Sequence, residues 1–165
     1  HVVGAYSLGK AQRVIKELRE AGHHAPIYLH GAHQKLCKLY TDLGVDLGRL
    51  EPVMDTEKAT MKGQIVLAPP SAQRDSWANR LPDPLSCYAS GWMRIRQRAK
   101  ASGAELPLVI SDHADWPDLQ KTILETGAEE VWVTHGREDA LVHFCETQGL
   151  RGRALALIGR EDESE

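Results

Sequence analysis

The sequence predicts an α/β fold with a mostly parallel sheet flanked by helices. Three observations carry this. Short β-rich apolar runs alternate with amphipathic helical runs along the 165-residue chain. Glycines follow the helical runs where a helix stop needs them. Several apolar runs also end abruptly in polar, titratable residues, as in Ile110-Ser111-Asp112-His113 and Val133-Thr134-His135. Open α/β sheets build their sites at such strand ends.

Taken in order, Val2 to Tyr6 is an apolar strand and Ser7-Leu8-Gly9 a turn. Lys10 to Ala21 is helical, with Val14, Ile15 and Leu18 on one face and charges opposite. Gly22 stops it. Pro26 to Leu29 is a second strand, followed by a helix to about Leu43 that Gly44 ends. Asp46 to Lys62 has weak periodicity and reads as a connector. Gln64 to Ala68 is a third strand, stopped by Pro69-Pro70. Ser71 to Pro84 mixes a short helix with loop, and Leu85 to Ala89 is a fourth strand. Met93 to Arg98 alternates apolar and basic residues, which at strand spacing puts Arg94, Arg96 and Arg98 on one face. Ala99 to Glu105 reads as loop. Leu108 to Ile110 is a strand. A helix then runs to Glu125, with Asp115 as N-cap and Pro117 in its first turn. Val131 to Thr134, a helix from Glu138 to Gln148, and Ala154 to Ile158 complete the series. Glu161 to Glu165 is an acidic tail.

Bulk properties exclude few classes. A hydrophobic content of 42% and a charged content of 26% are those of a soluble globular protein. The net charge of −3 argues neither for nor against nucleic acid, so a local basic patch has to decide. No apolar run approaches the roughly 20 residues of a membrane span. Cys37, Cys87 and Cys145 are odd in number and set in apolar patterns, which predicts reduced cysteines and a cytoplasmic location. The chain opens inside a strand, from which we expect it to be part of a larger protein.

The chemistry concentrates at the strand ends. His113 and His135 are 22 positions apart, the length of one βα unit. Consecutive strands of one parallel sheet would bring both to the same edge, with Asp112 and Asp115 beside them. A neutral imidazole binds zinc and an imidazolium protonates a leaving oxygen, so metal or phosphate chemistry is indicated. The plain alternative is a surface histidine beside an N-capping aspartate. Two histidines alone do not make a zinc site. Arg94, Arg96 and Arg98 suit phosphates as planar forks, or else guard an edge strand. The turn from Ser7 to Lys10 can hold a phosphate on its backbone, though it lacks Walker spacing. Ala5-Tyr6-Ser7-Leu8-Gly9 also has the outline of a nucleophile elbow. The order Ser7, Asp112 or Asp115, His135 is that of a serine hydrolase triad. His30 and His33, three apart at a strand-to-helix junction, lack a third metal ligand nearby.

Five segments in order resemble one family. They are Tyr6-Ser7-Leu8-Gly9-Lys10-Ala11-Gln12, Leu67-Ala68-Pro69-Pro70-Ser71, Ala89-Ser90-Gly91-Trp92-Met93, Ser111-Asp112-His113-Ala114-Asp115-Trp116 and Trp132-Val133-Thr134-His135-Gly136. Together they resemble the carboxyl half of β-CASP metallo-β-lactamase nucleases, closest to the bacterial ligase-associated DNA exonucleases. The resemblance implies a β-CASP domain over residues 1–105. It implies a returning segment of the metallo-β-lactamase fold over 108–160, and a tail over 161–165. It implies a zinc-dependent, exonucleolytic phosphodiesterase acting on DNA, with RNA as the alternative, and association with a DNA ligase or helicase. His113 matches the motif histidine beside the scissile phosphate, assigned proton donation or metal contact, and the resemblance makes Asp112 and Asp115 catalytic with it. His135 matches a ligand of one of two zinc ions. Ser7, Lys10, Arg94 and Arg96 would border the nucleic acid. The family's HxHxDH metal motif is absent, so the implied partner is an amino-terminal metallo-β-lactamase half, without which the chain is catalytically incomplete. The rival expectations are a serine hydrolase using Ser7 and a non-catalytic nucleic-acid-binding module.

Overall fold

A computed structural model describes residues 1–134 and 138–155, and the acidic tail lies outside them. The chain forms two compact units, His1–Asp112 and His113–Glu165. The first contains β1 (Val2–Gly4), α1 (Lys10–Glu20), β2 (Ile27–Leu29), α2 (Gly31–Asp42), β3 (Leu50–Pro52), β4 (Ile65–Ala68), β5 (Ser86–Ala89), α3 (Arg96–Ser102) and β6 (Leu106–Leu108). Its six strands form one parallel sheet in the order β3-β2-β4-β1-β5-β6, the predicted fold class. No helix among the described residues is long and apolar enough to cross a membrane.

Alternation along the strands builds two cores from one sheet. Val3, Ala5, Ile27, Leu29, Leu67 and Cys87 face α1 and α2, where Ala11, Val14, Ile15 and Cys37 meet them. Val2, Tyr28 and Val66 face the other side, packed with Val53, Met61 and Leu81. Burial on both faces explains why the central strands read as unbroken apolar runs. Each fully buried aliphatic side chain stabilises the fold by about 1.5–3 kcal/mol.

The boundaries of α1 follow from its sequence. Ala11, Val14 and Ile15 recur on one turn-spaced face and are buried. Past its end, Gly22 takes φ 89°, its N–H bonds to the Arg19 carbonyl, and His23 N–H bonds to that of Leu18. Arg19 then ties down the chain leading to β3. Its guanidinium donates to the carbonyls of Leu47, His23, Ala25 and Arg49 at 2.7–3.0 Å.

Two expectations are corrected here. The connector from Asp46 to Lys62 contains a strand, β3, at the sheet edge, where Pro52 is tolerated. Its weak pattern reflects three half-buried residues held by β2 and by Arg19. Met93–Arg98 is not a strand. Ser90 Oγ accepts from Trp92 N–H and opens a 3-10 turn over Gly91–Arg94, and α3 follows, closed by Gly103 at φ 70°. Arg96, Gln97, Arg98, Ala99, Lys100 and Ala101 are all good helix formers, and helical twist disperses the predicted row of arginines.

The second unit contains α4 (Trp116–Glu125), β7 (Glu130–Val133), α5 (Glu138–Thr147) and β8 (Arg151–Ala154). Asp115 caps α4, accepting from Asp118 N–H at 2.9 Å. β7 and β8 pair in parallel as a two-stranded sheet. Gly152 lies under α5, where a Cβ would stand 2.8 Å from the Val142 carbonyl oxygen. Only Ile123, Val133 and Cys145 are buried among its described residues.

Candidate functional site

The carboxyl ends of five strands converge on one edge of the large sheet. β1 leads into Ser7–Lys10, β2 into His30 and His33, β4 into Pro69–Arg74, β5 into Ser90–Met93, and β6 into Ser111 and Asp112. The neighbours β1 and β5 send the chain in opposite directions, β1 toward β2 and β5 toward β6. Right-handed crossovers therefore place α1 and α3 on opposite faces. Such a reversal opens a crevice at the strand ends.

On the α1 side the edge is closed. Lys10 is 3% exposed, and its ammonium pairs with Asp112 Oδ1 at 2.9 Å. The Asp112 side chain is 23% exposed, although the residue as a whole, backbone included, is open. Lys10 also lies over the Tyr6 ring, 5.4 Å from its centroid. Gly9 sits at φ 76°, and a Cβ there would meet Asp112 Oδ2 at 3.3 Å. Arg13 of α1 donates to the Ser111 carbonyl. One helix thus holds the two residues that precede His113 in the chain.

Beside this pair, Ser7 Oγ and His33 Nδ1 share a hydrogen bond of 3.1 Å. His33 is fully buried. Burial, then the neighbouring His30, push its pKa down to about 4, while the Ala5 backbone pulls weakly the other way. His33 is therefore neutral at pH 7. Its Nε2 makes no hydrogen bond of normal geometry among the described residues. Gln12, also buried, donates to the Ser7 carbonyl at 3.0 Å and to Cys37 Sγ at 3.3 Å. His30 accepts from Ala32 N–H and caps α2, and its ring stands edge-on to Trp77 at 4.7 Å.

On the opposite face the edge is open. A cleft of about 510 Å³ is lined by Ser71, Arg74, Tyr88, Ser90, Trp92 and Arg98, among others. Arg98 Cζ lies 4.0 Å above the Trp92 ring, which remains 56% exposed. Gln73 fixes the floor, donating to the Val2 and Cys87 carbonyls at 2.7 and 2.8 Å across β1 and β5. Burial and the Tyr6 hydroxyl push the Tyr88 phenol up, and the nearby Arg74 works against them.

Several expected residues stand apart from this picture. His113 is exposed, and Asp115 is occupied as the α4 cap. His135 lies outside the described residues. The premise that His113 and His135 follow consecutive strands of one sheet is corrected. The strand before His113, β6, edges the six-stranded sheet, while β7 pairs with β8 in the other unit. Equal spacing in sequence cannot report sheet membership. Arg94 and Arg96 are exposed and do not line the cleft, whereas Arg98 does. Lys10 is committed to Asp112. Among the described residues no three His, Cys, Asp or Glu side chains come together as a metal site needs.

Ser7 has a histidine, though not the predicted one. His33 takes the place expected of His135, and among the described residues no carboxylate meets its Nε2 to complete a triad. Sequence reasoning missed Arg74, whose signal was an arginine in a strand-end loop just past Pro69-Pro70. It also left Arg98 out of the binding set.

Fold and site define a parallel α/β protein whose polar groups gather at the carboxyl edge of its sheet. No protein-family model matches the chain, and no solved structure matches it. A probable DNA ligase of Opitutus terrae is 27% identical over 164 residues. The similarity covers 99% of this chain and 15% of that relative's length.

Proposed function

We propose that the chain is the carboxyl-terminal portion of a metal-dependent nuclease that hydrolyses phosphodiester bonds in DNA. The observation that carries this is convergence. Ser7–Lys10, Pro69–Ser71, Ser90–Met93 and Ser111–Asp112, the motif segments of the large unit, lie far apart in sequence and meet at one sheet edge. The relative named a probable DNA ligase supports a role on DNA. Most of that relative lies outside the similarity, so its ligase title does not transfer to this segment.

In this reading Asp112 and Lys10 are positioning residues. Their ion pair and the Arg13 bond hold the two residues that precede His113 in the chain. His113 supplies a proton to the leaving oxygen. His135 is a metal ligand, and the described residues do not complete a metal site, so its other ligands come from outside them. The thin core of the second unit fits a segment that finishes a larger fold.

The test is cleavage of a labelled DNA single strand by the longest natural polypeptide containing this chain. Cleavage should vanish with a chelator, and His113→Ala and His135→Ala should each lower the rate by orders of magnitude. Chelator-resistant cleavage, or unchanged rates in both variants, overturns the proposal.

A further inference from the structure

The cleft on the α3 side has a composition that neither its fold nor the strand-end pair explains. No Asp or Glu lines it. None occurs between Asp83 and Glu105 in a chain whose net charge is −3. Arg74 and Arg98 form no ion pair among the described residues. Two uncompensated guanidiniums facing one concavity favour an anion, and their planar forks match phosphate oxygens. Trp92 adds a second demand. An indole left 56% exposed beside those arginines offers a flat surface that a bare inorganic anion does not use. The chemistry satisfied by both is a nucleotide, with a phosphate for the arginines and a planar base for the ring.

The surroundings fit. The volume of about 510 Å³ lies within the usual range of small-ligand sites. Arg98 already covers one face of Trp92, so its charge is placed before a ligand arrives and the base takes the other face of the ring. Gln73 anchors the adjacent Arg74 to two strands of the sheet. Ser71 and Ser90 add hydroxyls at the rim. A base stacked inside a duplex cannot reach an indole face, which selects an unpaired nucleotide.

We infer that the cleft between Arg74, Trp92 and Arg98 binds one nucleotide of a single-stranded nucleic acid, its phosphate on the arginines and its base on Trp92. This rests on the proposed function only for the choice of nucleic acid as ligand. Asp112 does not line the cleft, and the site needs no metal.

The experiment measures binding of a labelled single-stranded oligothymidylate to the 165-residue chain by fluorescence anisotropy, in chelator so that no strand is cut. Trp92→Leu and Arg98→Ala should each weaken binding roughly tenfold, within the range for loss of one stacked base. Trp92→Tyr should restore most of it. Arg74→Ala should weaken binding and lower the slope of log affinity against log salt by about one. Lys121→Ala, exposed in the second unit, should change nothing. Thymidine monophosphate competing as well as the strand identifies a site for a free nucleotide; competition by strands alone identifies a strand path. Polyglutamate displacing the strand equally well overturns the inference, as does wild-type affinity in the Trp92 and Arg98 variants or an absence of binding. Because no cleavage is read, loss of this site leaves the nuclease proposal standing, and failure of cleavage leaves this site standing.

Discussion

The two faces of one sheet edge treat polar residues in opposite ways. On the α1 side, Lys10, Gln12 and His33 are buried among partners from the same unit. On the α3 side, Arg74, Trp92 and Arg98 border open space, and the arginines lack acidic partners among the described residues. Charge and polarity alone do not mark a binding site. A lysine at a glycine-bearing strand-to-helix turn looks like a phosphate ligand in sequence, yet here its ammonium closes a salt bridge. The difference lies in what the fold supplies within reach. α1 and the residues after β6 bring an acid to Lys10, whereas the segment from Pro84 to Ala104 brings none to Arg98.

If the contrast holds, changes on the closed side act on stability and changes on the open side act on binding. The largest effect is expected for Lys10→Ala. Breaking one side of a buried ion pair costs about 3–5 kcal/mol, and the partly open Asp112 carboxylate reduces this toward about 3 kcal/mol. Urea unfolding should report it, and a wild-type midpoint would show that Lys10 is not structural.

The next effect is a pH dependence. His33 is held at about 4 in the folded chain against 6.5 ordinarily. The unfolded chain therefore takes up the proton first as pH falls. Stability that His33 contributes above pH 6.5 is lost progressively as pH drops toward 4, by about 2–3 kcal/mol. His30 is shifted in the same direction by burial and adds to the slope. His33→Gln should flatten the profile between pH 6.5 and 4, and an unchanged slope would assign it elsewhere.

Ser7→Ala comes third. Removing its bond to His33 should cost about 1 kcal/mol. An active-serine probe should leave Ser7 of the wild-type chain unlabelled; labelling would revive the hydrolase reading. The smallest stability effects are expected on the open side. Arg74→Ala and Trp92→Leu should stay within about 0.5 kcal/mol of wild type in the same unfolding assay, while strand binding falls. Destabilisation comparable to that of Lys10→Ala would erase the contrast.

Much of the fold was legible in the residues. Continuous apolar runs such as Val2-Val3 and Ile65-Val66-Leu67 announce strands buried on both faces. The i, i+3, i+4 pattern through Ala11, Val14 and Ile15 marks α1, and Asp115 three residues before Asp118 marks the start of α4. β3 was not legible, because an edge strand of three half-buried residues leaves no period to read. Met93–Arg98 misled because alternation over six residues also fits a turn followed by a helix. The site was legible in part. Asp112 and Ser7–Lys10 do lie at one edge, but the cleft residues come from the segments after β4 and β5 and from α3. Their proximity is invisible along the chain.

By itself the sequence determined the α/β class, the strand-to-helix order and the strand ends where polar residues gather, since burial periodicity and glycine stops are local properties. Tertiary structure alone decided the strand order β3-β2-β4-β1-β5-β6 and the separation of β7 and β8 into a second unit. It also decided which charges were answered. Lys10 met Asp112 from more than a hundred residues away, while Arg74 and Arg98 met an open cleft. A salt bridge depends on distance in space and on access of water, and neither is encoded in the spacing of residues along the chain.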